Sequence, residues 1–318
     1  MKKKTIKIGI VLIIVIVFIV LTYYLMPGIA LKMTKIAGRG AAGLAEKHVQ
    51  VDDHRIAYLE GGKGETILLV HGYAAEKDNW TPFARYLTGK YRVICPDLAG
   101  FGESSRLLKA SYDIQSQVDR LNRFTEVLKL DRFHIVGNSM GGMISGVYGA
   151  EYPNKILSLA LFAPGGIRSP VKSEFIKLME KGSQPLLINS IDDYERILKL
   201  IFVKVPMIPY PVKKEMTMKA IENRAFNDKI LKDMAKKPLF LEPFLPEIKA
   251  PTLILWGDAD KFTHISSVPI LEQDIKRHRT VIMKHCGHAP MLEKPQETAD
   301  HYLRFLQETV KKTKESLK

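Results

Sequence analysis

Residues 133–142 read FHIVGNSMGG: an apolar, β-branched run, then Gly137-Asn138-Ser139-Met140-Gly141, then a small-residue pattern that continues as MISGVYGA. A serine on a sharp strand-to-helix turn has crowded backbone neighbours, so glycine is needed two positions to either side. The turn exposes the hydroxyl at the end of a sheet and aims a helix N-terminus at developing negative charge. Five residues of this kind recur by chance as packing turns. The strand–turn–helix context is what makes Ser139 a candidate nucleophile.

Two further residues fall where such a serine needs them. Asp260, in WGDAD, follows the apolar run Thr252–Trp256, and His288, in HCGHAP, follows Thr280–Met283. His288 would take the Ser139 proton during attack and return it to the leaving group, while Asp260 would orient the imidazole and stabilise its cationic form. Upstream, His71-Gly72-Tyr73 follows the run Thr66–Val70. The backbone N–H groups of Tyr73 and Met140 are the candidate oxyanion donors, each worth about 2.7–4 kcal/mol in the transition state.

Neighbouring residues receive plainer roles. The W-G-x-x-D spacing favours Asp260 over Asp258, which reads as a turn residue. His285, Cys286 and His288 are close together, but a structural zinc site draws its four ligands from two separated pairs and no second pair follows. No metal and no cofactor is therefore expected. Cys286 reads as a small buried residue. His71 is expected to hold its turn, and Asp97 in PDLAGFGES to support the turn after its strand.

From His48 onward, short strands alternate with helical patterns. Thr66–Val70, Arg92–Cys95, Phe133–Gly137, Leu157–Phe162, Thr252–Trp256 and Thr280–Met283 are nearly continuous apolar runs, as expected where helices cover both faces of a sheet. Val49–Val51 and Ile56–Glu60 read as an opening antiparallel hairpin. Helical patterns fall at Asp78–Leu87, Ile114–Leu128, Met140–Tyr152 and Pro295–Lys311. This order predicts an α/β fold with a mostly parallel, doubly wound sheet. The rhythm breaks across 167–249, where SEFIKLMEK, IDDYERILKLIF, KKEMTMKAIENRAF and DKILKDMA read as helices without a strand. Phe175, Leu178, Ile197, Leu198, Ile201 and Phe202 recur there at helical spacing. The stretch is expected to be a helical lid inserted between two late strands, over the strand ends where ligands bind. The resulting division is a segment 1–26, a linker 27–47, a core 48–166 and 250–318, and the lid 167–249.

The chain has 318 residues, 46% hydrophobic and 26% charged, which excludes disorder, collagen-like repeats and a disulfide-built mini-domain. Only Cys95 and Cys286 occur, and no bridge is expected between them. The net charge of +14 favours an anionic neighbour. The lysines are scattered and no nucleic-acid recognition motif accompanies them, so lipid headgroups are the expected partner. Lys2, Lys3, Lys4 and Lys7 precede an uncharged run, Ile8–Met26, about long enough to span a bilayer core of about 30 Å. The positive-inside rule keeps those lysines in the cytoplasm and places everything after Met26 on the non-cytoplasmic side, tethered by a single transmembrane helix. The alternative is a signal peptide cleaved near Gly28-Ile29-Ala30, leaving a secreted or periplasmic protein. The run exceeds the usual apolar length of about 7–15 residues in such peptides, so the retained anchor is preferred.

From about His48 to Gln307 the chain resembles the α/β-hydrolase superfamily, in which the triad follows the chain order Ser…Asp…His. Within it, HGYAAEKDNW (71–80), DLAGFGES (97–104), GNSMGG (137–142), the block 238–260 and CGHAPMLEKP (286–295) look like the membrane-anchored monoacylglycerol lipase branch and related bacterial lipases. The resemblance implies an N-terminal anchor, a helical lid and cleavage of carboxylic esters of acylglycerols. It carries over Ser139, Asp260 and His288, with Tyr73 and Met140 as oxyanion donors, and it leaves acyl preference open. GNSMGG and Phe162-Ala163-Pro164-Gly165-Gly166 also resemble the carbon–carbon bond hydrolases of aromatic ring-cleavage products. Those enzymes are soluble and tend to carry Trp after the catalytic His, where this chain has Ala289. A non-catalytic binding scaffold on the same fold is the alternative from another class. Such scaffolds usually lose a triad member, and none is missing here.

Overall fold

The structure, a computed structural model, describes Ile8 and residues 20–316, with side chains through Thr309. The β-branched runs become eight strands: β1 (Leu44–Val51), β2 (His54–Gly61), β3 (Thr66–Val70), β4 (Arg92–Pro96), β5 (Phe133–Asn138), β6 (Ile156–Phe162), β7 (Thr252–Gly257) and β8 (His278–Met283). They form one sheet in the order β1-β2-β4-β3-β5-β6-β7-β8. The β1–β2 and β2–β4 pairs are antiparallel and the rest are parallel. Every residue of β3, β5 and β7 is buried, which is why those runs are continuous rather than alternating.

The helices are α1 (Pro27–Ala41), α2 (Thr81–Ala84), α3 (Ile114–Val127), α4 (Met140–Glu151), α5 (Glu174–Glu180), α6 (Ile191–Ile201), α7 (Tyr210–Glu222), α8 (Arg224–Lys236), α9 (Val268–Asp274), α10 (Pro290–Glu293) and α11 (Pro295–Ser316). In α3 the logic is local. The Asp113 side chain accepts from Ser116 N at the N-cap, and Ile114, Val118, Leu121 and Phe124 form one buried stripe.

The chain leaves β3 for β4 on one side and returns to β5 on the other. Strand order therefore reverses at β3, and ligands in such sheets bind past the carboxyl ends at that point. Val70 pairs with Gly137, so the turn after β3 and the turn after β5 emerge side by side. Ser139, Asp260 and His288 each follow the end of β5, β7 or β8, and α5 to α8 lie between β6 and β7.

Several local expectations change. The stretch 27–47 holds α1, whose Ala30 and Leu31 are buried, and β1 begins at Leu44, inside it. Arg39 on α1 pairs with Asp78, which docks as a helix the small-residue stretch that the sequence leaves open between a short linker and a helix. The helix expected at Asp78–Leu87 is a 3-10 turn, Lys77–Trp80, followed by the single turn α2. In the insertion the break falls at Asn223, so Arg224-Ala225-Phe226 joins α8. Phe226 packs its ring edge-on to Tyr112 and Ile230 is fully buried, four residues apart on one face. Helix α9 was not expected; Val268 and Leu271 bury its inner face.

Among the described residues no helix is long and apolar enough to cross a membrane. Residues 1–7 and 9–19, which carry the lysines and most of the expected anchor, lie outside the described residues.

Candidate active site

Ser139 sits between β5 and α4 with φ 58° and ψ −122°, a left-handed conformation that costs a non-glycine residue about 1–3 kcal/mol. The cost is offset by fixed hydrogen bonds. Ser139 N donates to Phe162 O at 3.0 Å, and Ser139 O accepts from Gly165 N at 2.9 Å and Met143 N at 3.0 Å. The flanking glycines answer to sterics. A Cβ on Gly137 would lie 2.1 Å from Gly141 O, and one on Gly141 would lie 2.2 Å from Val70 O. No side chain fits either position.

Asp260 and His288 meet across the ends of β7 and β8. His288 Nδ1 lies 2.9 Å from Asp260 Oδ2. The Asp260 carboxylate also accepts from Phe262 N at 2.7 Å, Thr263 N at 3.0 Å and the Thr263 hydroxyl at 2.8 Å. A carboxylate that accepts from four donors is held in one orientation, and it fixes the proton of a neutral imidazole on Nδ1. The other nitrogen, Nε2, is buried and has no hydrogen-bond partner among the described residues. It is left with a lone pair to accept a proton.

The turn after β3 presses against the nucleophile: a Cβ on Gly72 would lie 3.1 Å from Ser139 Cβ and 3.7 Å from its Oγ. His71 holds this turn. Its Nδ1 donates to Gly72 O at 2.7 Å and its Nε2 accepts from Leu98 N at 2.9 Å. Both nitrogens are spent and burial pushes its pKa down, so the ring is a neutral strut. The backbone N–H groups of Tyr73 and Met140 find no acceptor among the described residues.

The residues set aside at the sequence level are placed as follows. Asp258 N donates to Met283 O at 2.9 Å, a turn contact away from the imidazole. Asp97 is fully buried, 2.9 Å from the equally buried Lys77 Nζ, and accepts from Glu103 N at 2.8 Å. Cys95 and Cys286 are both free and buried. Burial pushes the Cys286 thiol up to about 12, far from thiolate chemistry at neutral pH. Among the insertion's apolar residues, Ile197, Leu198 and Phe202 are buried, whereas Phe175 is only partly so.

Several supporting residues were missed. Asn138 Nδ2 donates to Phe162 O at 3.0 Å and to His288 O at 2.9 Å, tying the Ser139 turn to the His288 loop. Glu293 accepts from Gly287 N at 2.8 Å and from Lys204 N at 2.6 Å, and His288 N donates to Ile201 O at 2.7 Å. The ring of Phe262 stacks on His288. The only sequence signal was adjacency, since Asn138, Phe262 and Glu293 each lie within five residues of a motif residue.

A buried Asp–His pair and a serine on a strained turn lie at the carboxyl edge of a mostly parallel sheet, and the lipases this chain is similar to make it an ester-hydrolysing serine hydrolase. The chain belongs to the α/β hydrolase fold family, which matches residues 65–187 and 216–295. It is similar to Lipase 1 of Psychrobacter immobilis, 35% identical over 255 residues that cover 79% of this chain and 80% of the relative. It is also similar to monoacylglycerol lipase abhd6-B of Xenopus laevis, 29% identical over 299 residues, covering 90% and 89%. Among solved structures, a bacterial membrane phospholipase A superposes with a TM-score of 0.88 at 42% identity, covering 96% of this chain and 99% of that one.

Proposed function

We propose that this enzyme hydrolyses the acyl esters of glycerol lipids, monoacylglycerols or similar short- to medium-chain esters, at a membrane surface. Ser139 Oγ attacks the ester carbonyl as His288 Nε2 takes its proton. The tetrahedral oxyanion is held by the N–H groups of Tyr73 and Met140, with the N-terminus of α4 behind them. Collapse expels the alcohol, protonated by His288, and leaves an acyl-enzyme that water hydrolyses by the same steps. Asp260 keeps the imidazole in the required tautomer throughout. The observation that carries the reading is the 2.9 Å contact between His288 Nδ1 and Asp260, which leaves Nε2 unpartnered.

Three relatives of different name share one bond type. Lipase, monoacylglycerol lipase and phospholipase A all cleave an acyl ester on glycerol, and this supports that substrate class. The apolar run Ile8–Met26 behind four lysines supports a retained anchor with the catalytic domain on the non-cytoplasmic side. The helical insertion 167–249 is read as a lid over the strand ends.

The test is full-length protein in phosphatidylcholine vesicles, offered monoacylglycerols of increasing chain length beside nitrophenyl esters, with Ser139→Ala as control. Expected is glycerol release that depends on Ser139. Release unchanged in a folded Ser139→Ala variant, or no Ser139-dependent turnover of any acyl ester, would overturn the reading.

A further inference from the structure

His288 is gripped by the insertion from two directions. On its backbone side, the last residue of α6 supplies the carbonyl of Ile201, 2.7 Å from His288 N. On its ring side lies a stack of three rings. Phe262 lies 4.8 Å from the imidazole, centroid to centroid, with 22° between planes, and Phe175 lies 4.2 Å from Phe262 with 17° between planes. Phe175 is the second residue of α5, whose N-cap Ser173 accepts from Ile176 N. The segment leading to it is stitched to the loop that carries Asp260. Phe175 N donates to Lys261 O at 2.9 Å, Val171 N donates to Ser266 Oγ at 3.2 Å, and the Ser169 and Ser266 hydroxyls are 2.7 Å apart.

Both rings are only partly buried, and Phe262 also packs against the cluster of Ile188, Ile197 and Leu200 in the insertion. Their stacking does something that burial alone would not. An imidazole anchored at Nδ1 keeps one soft motion, the tilt of its plane about that hydrogen bond. A ring laid flat on its face blocks the tilt. The face of an aromatic ring also favours a cation, so the stack stabilises the imidazolium that forms at each proton transfer.

We infer that Phe262 and Phe175 are positioning residues for His288, and that the insertion thereby orients the base as well as covering the site. The inference rests on His288 being the general base. It makes a lid residue a requirement for chemistry on substrates too small to reach the lid.

Two readouts on the full-length protein test it: steady-state kinetics on nitrophenyl acetate, and the rate at which a fluorophosphonate labels Ser139. Phe175→Leu and Phe262→Leu should each lower kcat about tenfold, with KM within about twofold and labelling slowed in parallel. The double Leu variant should be little worse than the weaker single one, because both act through one stack. Phe175→Tyr and Phe262→Tyr should recover most of the rate, which a role in mere bulk would not require. If Phe262→Leu lowers the melting temperature, Phe175→Leu, further from the sheet, still carries the test. A rise in KM with unchanged kcat and labelling would make Phe175 a wall of the substrate site and overturn the inference. So would Tyr variants as slow as the Leu ones. Ser139→Ala separates the two levels: labelling that survives it would sink the reading of the site, whereas labelling that needs Ser139 but ignores both Leu changes sinks only the positioning role.

Discussion

The side-chain amide of Asn138 donates to the carbonyl oxygen of His288 across 2.9 Å, joining residues 150 positions apart. The same nitrogen donates to Phe162 O at 3.0 Å, so one buried amide fixes the nucleophile turn, the end of β6 and the imidazole loop together. The pair ties the turn that follows β5 to the loop that follows β8 without a covalent link.

Replacing Asn138 should therefore uncouple the two loops. Asn138→Ala leaves the His288 carbonyl unpaired, at a cost of about 1–3 kcal/mol, while Phe162 O keeps its bond from Ser139 N. Asn138→Asp should be worse at neutral pH, because a carboxylate would face two carbonyl oxygens. It should recover partly on acidification, when a protonated acid regains one donor. Melting temperature and fluorophosphonate labelling, followed from pH 8 to 5, measure this; equal behaviour of the Asp variant at both ends would refute it.

Asp260 and Asp258 should part company under the same substitution. Asp260→Asn keeps the shape but offers an N–H to His288 Nδ1, promoting the wrong tautomer, and should lower kcat by roughly 10⁴-fold. Asp258→Asn should stay within about twofold, since its side chain meets only Cys286 N and the exposed Lys284, and an amide oxygen can still accept from Cys286 N. Kinetics on one nitrophenyl ester decides between them.

Lys77 and Asp97 form an ion pair with both side chains fully buried, beside the turn that carries Tyr73. Lys77→Met removes one partner and leaves a buried charge uncompensated, for a loss of about 3–5 kcal/mol in unfolding free energy. Urea denaturation would show it as a lowered midpoint. An unchanged midpoint would refute this and mean that the backbone donors Lys77 N and Glu103 N suffice to hold the Asp97 carboxylate.

Acid should unfold the protein in two stages. Burial pushes the pKa values of His71 and His134 down, so the unfolded chain binds the extra protons, and this share of stability, present above about pH 6.5, fades as pH falls through the lowered folded values. Burial opposes ionisation of Asp113, but hydrogen bonds from the Ser111 hydroxyl, Ser116 N and the Ser116 hydroxyl together bring it from 3.8 to about 2. Its share is present above pH 4 and is lost between about 4 and 2. Asp113→Asn, which still caps α3, should shrink the second stage, to which Glu103 also contributes, and leave the first. Melting temperatures from pH 8 to 2 read both.

Legibility in the sequence followed how local each constraint is. The parallel strands were readable to within a residue or two because burial on both faces demands a continuous apolar run. Ser139 was readable because the turn tolerates nothing larger than glycine at 137 and 141. The insertion was readable as helical, but its break at Asn223 was not, because the face of α8 is chosen by Tyr112 and Gly100 from a distant loop. The sequence leaves α1 open between linker and helix for a similar reason: its partners Glu46, Glu76 and Asp78 lie on other elements.

By itself, then, the sequence determined the eight-strand pattern, the strained serine and the order in which its two partners follow. Each of these is set by neighbours within a few positions, through sterics and the pairing of hydrophobic faces. Only the tertiary structure decided that Asn138 ties the Ser139 turn to the His288 loop, that Thr263 shares Asp260 with His288, and that Phe175 reaches the imidazole through Phe262. Those contacts join elements far apart in the chain, and a side chain's partner across a packed interface is set by which elements pack together, not by the residues beside it.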